Sequence, residues 1–274
     1  MLKRLCPLLA VILILAGCYT NPVTGRKSFV ILSQGEELTL GAESFKQIRE
    51  KEKVSADPAM NARVARVGQR IAQAVGSELP DAKWEFVVFD SPEVNAFALP
   101  GGKVGVYTGL LQVANSDAEL ATVMGHEIGH VIGRHGAERM SEAMVISGVG
   151  ALGSAAVETK TQDPQTRQLF ELAYGGATNL LGVLPHSRRN ESEADRMGAT
   201  YAARAGYDPR AAITFWQKMV KEKQAAEKSA AGSTAKLSAL FSTHPADEKR
   251  IADLQALMPS VVPLYEQNKG KFPN

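Results

Sequence analysis

Met124-Gly-His-Glu-Ile-Gly-His-Val-Ile-Gly-Arg-His-Gly-Ala-Glu-Arg139 carries His126, Glu127 and His130 in the spacing His-Glu-x-x-His. On an α-helix, residues four apart share a face, so both imidazoles can turn toward one metal ion. Glu127 follows the first ligand and lies beside the metal, where a carboxylate can deprotonate metal-bound water. Zinc suits this pair, because imidazole binds it well and a catalytic site keeps one position open. A structural, buried histidine pair is the competing reading. Against it, Leu120, Val123, Ile128, Val131 and Ile132 make the helix apolar. Burying three polar groups there without a task is costly.

A catalytic zinc site of this kind takes three protein ligands. The candidates for the third are His135, His186, Glu191, Glu193, Asp195 and His244. Glu191 is the strongest, because Glu191-x-x-x-Asp195 repeats the four-residue helical spacing. It is expected to bind from a second helix. Asp195, one turn on, is expected to accept a hydrogen bond from the far nitrogen of a ligating histidine, His126 by preference. A solvated acidic helix is the plainer alternative. Glu193, two residues from Glu191, points elsewhere. Gly133 fits the longer motif His-Glu-x-x-His-x-x-Gly-x-x-His, but that motif's last position, 136, is glycine. His135 is expected to face away on a continuing helix.

Upstream, Ser33 and Glu36 form a capping-box pattern for a helix to about Lys53. Asp57-Pro58 opens a second helix, with Val64, Val67, Ile71 and Val75 as its stripe and Gly76 as its end. Trp84 to Phe89 reads as a strand. Val94 to Leu99 and Lys103 to Tyr107 flank Pro100-Gly101-Gly102 and read as a β-hairpin. An open edge there can take an extended peptide, which makes Asn95, Ala96 and Phe97 the substrate-binding candidates. Plain core sheet is the alternative. Ser116 or Asp117 caps the metal helix.

Downstream, residues 143–157 are apolar but too short, and too broken by small residues, for a comfortable membrane span. A close-packed helix or a flap is expected, then a polar loop over 159–166 and another small-residue helix. Asn190 caps a helix that continues to Gly206. Asp208-Pro209 opens the next, whose stripe is Ala212, Phe215, Trp216, Met219 and Val220. Lys221 to Ser233 is polar and expected to fray. The last helix begins at His244-Pro245 and carries Ile251, Leu254 and Leu257.

His126-Glu-Ile-Gly-His130, Asn95-Ala-Phe97, Ser187-Arg188, Glu191-Ser-Glu-Ala-Asp195 and His244-Pro245 together resemble the zinc metalloendopeptidase family of the CAAX prenyl endopeptidases. That family includes the Oma-type mitochondrial proteases and the bacterial BepA–LoiP-like periplasmic lipoproteins. The resemblance runs from about residue 33 to 258. It implies an α+β, predominantly helical, gluzincin-like fold, with a small sheet or hairpin before the metal-binding helix. It also implies one zinc ion per chain on His126, His130 and Glu191, with Glu127 as general base. His244 is implied to lie near the zinc, where it can stabilise the oxyanion or occupy the open position as a lid. A helix-start histidine is the alternative. Arg188 can pair with a carboxylate near the zinc or with substrate, or be an ordinary surface arginine. No helical-repeat extension and no set of membrane helices is evident, which favours the compact lipoproteins over prenyl-peptide cleavage.

The N-terminus fits that company. Lys3 and Arg4 precede an apolar run from Leu8 to Ala16, which closes on Leu15-Ala16-Gly17-Cys18. Small residues before a cysteine look like a lipoprotein processing site, so residues 1–17 are expected to be a signal peptide and Cys18 the lipidated residue. An ordinary secretory signal is the alternative. Tyr19 after the cysteine implies sorting to the outer membrane. Residues 18–32 are expected to be a tether, and 33–274 the peptidase domain. Losing Lys3 and Arg4 from 31 basic residues leaves 29 against 29 acidic ones. A formally neutral chain without a basic cluster argues against nucleic acid as partner. Cys6 leaves with the signal, so no disulfide is expected.

The expected function is zinc-dependent endopeptidase at the periplasmic face of the outer membrane, acting on misfolded or unassembled polypeptides of the cell envelope. The rival is an envelope chaperone with a structural zinc. Glu127 argues against the rival, since a structural site needs no base and is closed by four protein ligands.

Overall fold

The computed structural model describes residues 18–146, 163–174, 187–228, 240, 244 and 248–272. Residues 1–17, expected to be a signal peptide, most of the apolar run after Ile146, His186 and Pro245 lie outside them. Residues 18–32 are not a free tether. Asn21-Pro22 and Thr24-Gly25 close a small antiparallel pair, β1 (Cys18–Thr20) against β2 (Lys27–Phe29), with Gly25 at φ +71°. Asn21, Val30 and Leu32 are buried, and the Ile31 N–H donates to Ser141 Oγ at 2.8 Å. The turn residues have the composition of a solvated linker. Their donors face inward because the fold supplies a buried carboxylate, Glu193, to which Asn21 Nδ2 donates at 2.8 Å.

The next two helices start as their local chemistry dictates. Ser33 and Glu36 complete the capping box of α1 (Gln34–Lys51). Asp57 accepts from the Ala59 and Met60 N–H groups at the start of α2 (Pro58–Val75), which Gly76 ends at φ +53°. A three-stranded sheet follows, built from β3 (Glu85–Phe89), β4 (Ala96–Leu99) and β5 (Lys103–Tyr107) in the order β3-β5-β4. The hairpin pairs Ala96 with Val106 and Leu99 with Lys103, and β3 joins β5 in parallel.

Strand periodicity sorts the sheet's two faces. Val88, Ala96, Ala98, Val104 and Val106 pack with Val64, Val67 and Ile71 of α2. Phe89, Phe97, Leu99 and Tyr107 pack the other way, with Leu40, Phe45 and Ile48 of α1. Phe97 sits among Phe45, Phe89 and Tyr107, with ring centroids 6.0–6.3 Å away.

After α3 (Thr108–Val113), Ser116 caps α4 (Asp117–Ile132), its Oγ accepting from the Glu119 N–H at 3.1 Å. Then come α5 (His135–Ile146), α6 (Pro164–Tyr174), α7 (Arg188–Arg204), α8 (Ala211–Lys228) and α9 (Glu248–Asn268). Ser187, not Asn190, caps α7. Its extended backbone (φ −64°, ψ 148°) aims Oγ at the Asn190 N–H, 3.2 Å away, so the helix begins three residues earlier than expected. Helix α8 stays regular to Lys228, as its Lys, Glu, Gln and Ala residues favour. Among the described residues no helix is long and apolar enough to cross a membrane.

Helices α4 and α7 cross where two glycines meet. A Cβ at Gly198 would lie 2.7 Å from the His126 backbone nitrogen, and one at Gly125 would lie 3.0 Å from the Gly198 carbonyl oxygen. Gly198 lies two turns beyond Glu191, so this contact sets how far Glu191 and Asp195 reach toward α4. Gly198→Ala is expected to wedge the helices apart and destabilise the fold by about 1–3 kcal/mol. Urea denaturation checks it. An unchanged midpoint would show that the crossing tolerates a methyl.

Candidate metal centre

The crossing brings His126 and His130 of α4 together with Glu191 of α7 and with His244. One ligand atom from each of the four lies within 4.8 Å of all the others, and all four residues are buried. His126 Nε2 is 3.0 Å from His130 Nε2 and 3.5 Å from Glu191 Oε2. Glu191 Oε1 is 3.3 Å from His130 Nε2 and 3.0 Å from His244 Nδ1. Glu127 stands at the side, its Oε1 3.4 Å from His244 Nε2. Asp195 Oδ1 lies 2.9 Å from His126 Nδ1, behind the ring.

A metal ion fits this arrangement. Glu127 Oε1 is buried without a hydrogen-bond partner, a state that costs free energy unless a cation takes it up, and Glu191 Oε2 has an ion-pair contact with Arg250 but no aligned hydrogen bond. Two imidazoles, a carboxylate and a further imidazole form a nitrogen and oxygen donor set suited to zinc.

The charges point the same way. Burial pushes Glu191 up, but the charge of His244 and hydrogen bonds from His126, His130 and His244 hold its carboxyl well below the usual range. Burial and then Arg250 oppose a proton on His126, yet hydrogen bonds to Asp195 and Glu191 prevail and push it up to about 9. Burial keeps His130 neutral far below its ordinary value. Burial also raises Glu127, which the charges of His244 and His126 only partly offset. Glu191 and Asp195 thus keep their charge on either side of His126.

Two residues at the site were not anticipated. Arg250 of α9 is buried and forks onto Asp195, with Nε to Oδ2 and Nη2 to Oδ1 both at 2.6 Å. Its Nη1 is 3.0 Å from Glu191 Oε2, and its guanidinium lies 3.6 Å from the centroid of the Trp216 ring. It shares an apolar stripe with Leu254, Met258 and Val261, and an arginine in such a stripe is the signal that sequence offered. His135 does not face away. The helix breaks at Arg134, and His135 Nδ1 comes to 2.9 Å from His130 Nδ1. Glu193 does point away from the cluster, toward His135 Nε2 at 3.0 Å.

Arg188, by contrast, is exposed at the start of α7, on the rim of a cavity that reaches Glu191, Asp195 and Arg250. The side chains of Asn95 and Phe97 serve the fold. Asn95 Oδ1 accepts from the Ala96 N–H at 3.0 Å, and Phe97 is in the aromatic cluster. Ala96 is buried against the α2 face. What β4 retains is a backbone edge: among the described residues it pairs in the sheet with β5 alone, and it packs beside α4.

A family model described as peptidase family M48 matches residues 58–258, which hold all of these site residues. The chain belongs to peptidase family M48. Membership puts it among the metalloendopeptidase-type hydrolases and agrees with the resemblance read from its motifs. It is 33% identical over 241 residues to the mitochondrial metalloendopeptidase OMA1 of Schizosaccharomyces pombe, covering 87% of this chain and 66% of the relative. With OMA1 of Saccharomyces cerevisiae it shares 30% identity, over 93% of this chain and 76% of the relative. The beta-barrel assembly-enhancing protease of Escherichia coli is 28% identical over 92% of this chain, and the chain spans 50% of its length.

Proposed function

We propose that this M48 member is a zinc-dependent endopeptidase, lipid-anchored through Cys18 at the periplasmic face of the outer membrane, that cleaves misfolded or unassembled envelope polypeptides. The observation that carries the reading is the convergence of His126, His130 and Glu191 beside a buried carboxylate, Glu127, that binds none of them. Zinc held by His126, His130 and Glu191 would polarise the scissile carbonyl and bring water within reach of deprotonation near neutral pH. Glu127 takes the proton of the attacking water and passes it to the leaving nitrogen. Its carboxyl, raised by burial, is suited to accept that proton and hold it through the step. Asp195 fixes His126 with Nδ1–H donating backward and Nε2 toward the centre. His244, with Nδ1 3.0 Å from Glu191 Oε1 and Nε2 3.4 Å from Glu127 Oε1, would be a further donor to the metal or, with substrate in that place, would stabilise the oxyanion. The free edge of β4 offers main-chain hydrogen bonds to an extended peptide, with Asn95, Ala96 and Phe97 shaping the strand rather than gripping side chains.

The lipoprotein-like N-terminus and the name of the bacterial relatives support envelope polypeptides as substrates and the periplasm as the location. The test is chelation. Casein hydrolysis by the purified protein is expected to fall at least about 100-fold in 1,10-phenanthroline and to return with added zinc. The thermal midpoint should fall alongside it, because a metal that binds only the folded state stabilises it. Hydrolysis at full rate after verified metal removal would contradict the proposal.

A further inference from the structure

The end of α4 is built in a way that the ligand spacing does not require. Gly133 closes the helix, and Arg134 adopts φ +52°, the left-handed region that residues with side chains seldom occupy. Its side chain is anchored on three sides. Arg134 Nε donates to Glu37 Oε1 at 2.7 Å and Nη2 to the Leu32 carbonyl at 2.7 Å, while the guanidinium lies over the Tyr19 ring. The turn folds His135 back beside His130. Gly133 makes room for it, since a Cβ there would lie 2.4 Å from His135 Nε2.

The hydrogen bonds that result have a direction. His130 can offer the Nε2 lone pair to a metal only with its proton on Nδ1. That proton needs an acceptor, and His135 Nδ1 is 2.9 Å away. His135 accepts there only with its own proton on Nε2, which then donates to Glu193 Oε2 at 3.0 Å. Glu193 in turn accepts from Asn21, Thr24 and Arg26, all in the turn between β1 and β2. Arg26 is itself held by a fork onto Glu138, at 2.8 and 2.9 Å.

We propose that His135 and Glu193, pinned by the N-terminal hairpin, are positioning residues that fix the tautomer and ring angle of the metal ligand His130, as Asp195 does for His126. The inference rests on the reading of His130 as a zinc ligand. It also makes the hairpin that begins at Cys18 a support of the metal site instead of a passive leash.

The test is zinc affinity of the full-length protein, by competition with a chromogenic chelator, with the cobalt(II) absorption spectrum as a second readout. His135→Phe keeps an aromatic ring at the site, somewhat larger than the imidazole, and removes both hydrogen bonds. It is expected to weaken zinc binding on the order of 10- to 100-fold and to shift the cobalt spectrum. His135→Gln can still accept and donate, and should restore most of the affinity. Should His135→Phe fail to fold, Arg26→Met decides: it loosens Glu193 from the surface side and is expected to weaken zinc binding several-fold. Zinc affinity within two-fold of wild type in the folded variant, alongside loss of zinc by His130→Ala, overturns the relay and leaves the site intact. Wild-type zinc affinity in His130→Ala overturns the site and the relay together.

Discussion

Glu127→Gln is expected to lower kcat for casein or a fluorogenic peptide by about 1000-fold, within the span of general acid–base effects. KM and bound zinc should be unchanged. The amide is isosteric with the carboxylate and Glu127 is not needed as a ligand, so the metal cluster stays whole. What disappears is the base. Glu127 Oε1 is buried, has no hydrogen-bond partner and lies 3.4 Å from His244 Nε2, and the other two carboxylates at the cluster are committed elsewhere. Glu191 is engaged by three histidines and Asp195 by Arg250 and His126. Steady-state kinetics with the zinc content measured on the same sample checks this. Hydrolysis at the wild-type rate would remove Glu127 from the chemistry, and full complementation of a deletion strain by the variant would move the biological task to binding.

Arg250→Met is expected to destabilise the metal-free protein by about 3–5 kcal/mol, the cost of breaking a buried ion pair from one side. Arg250 answers two buried carboxylates at once, with its fork on Asp195 and Nη1 at 3.0 Å from Glu191 Oε2. Methionine keeps much of the apolar stem over Trp216 but leaves both carboxylates with less positive charge to face. Arg250→Lys should recover little, because an ammonium cannot fork onto two oxygens while lying flat on the indole. Zinc should reduce the deficit by engaging Glu191. Urea denaturation with and without zinc measures both effects, and a loss below about 1 kcal/mol would show that the pair is not what holds α9 against α7.

What the sequence made legible was local. The four-residue spacings of His126 with His130 and of Glu191 with Asp195 are properties of one helix each, and the structure sets those faces against each other. The Ser33–Glu36 box and the Asp57-Pro58 start are closed within a single turn, and the hairpin around Gly101-Gly102 within one reversal. The misses were tertiary. Continuing the helix turns His135 away, but a left-handed arginine ends that helix, and its side chain is bound by Glu37, nearly a hundred residues earlier. Gly133 fits a ligand motif in the sequence, but what it provides in the fold is space for the His135 ring. Residues 18–32 read as a linker because turn composition is the same whether donors meet water or a buried Glu193. Arg188 is a candidate only through the Ser187-Arg188 motif of the resemblance, whereas Arg250 lies in none of those motifs and reaches Glu191 and Asp195 from another helix.

X-ray absorption at the zinc edge of the purified protein measures the metal's neighbours directly. One zinc per chain is expected, with histidine nitrogens and a carboxylate oxygen at about 2.0–2.2 Å. In Glu191→Ala the zinc should be lost or its oxygen neighbour replaced by solvent. Zinc absent from the wild type under saturating conditions, or held with its spectrum unaltered when His126, His130 and Glu191 are each replaced, would contradict the metal centre on which the proposed hydrolysis depends.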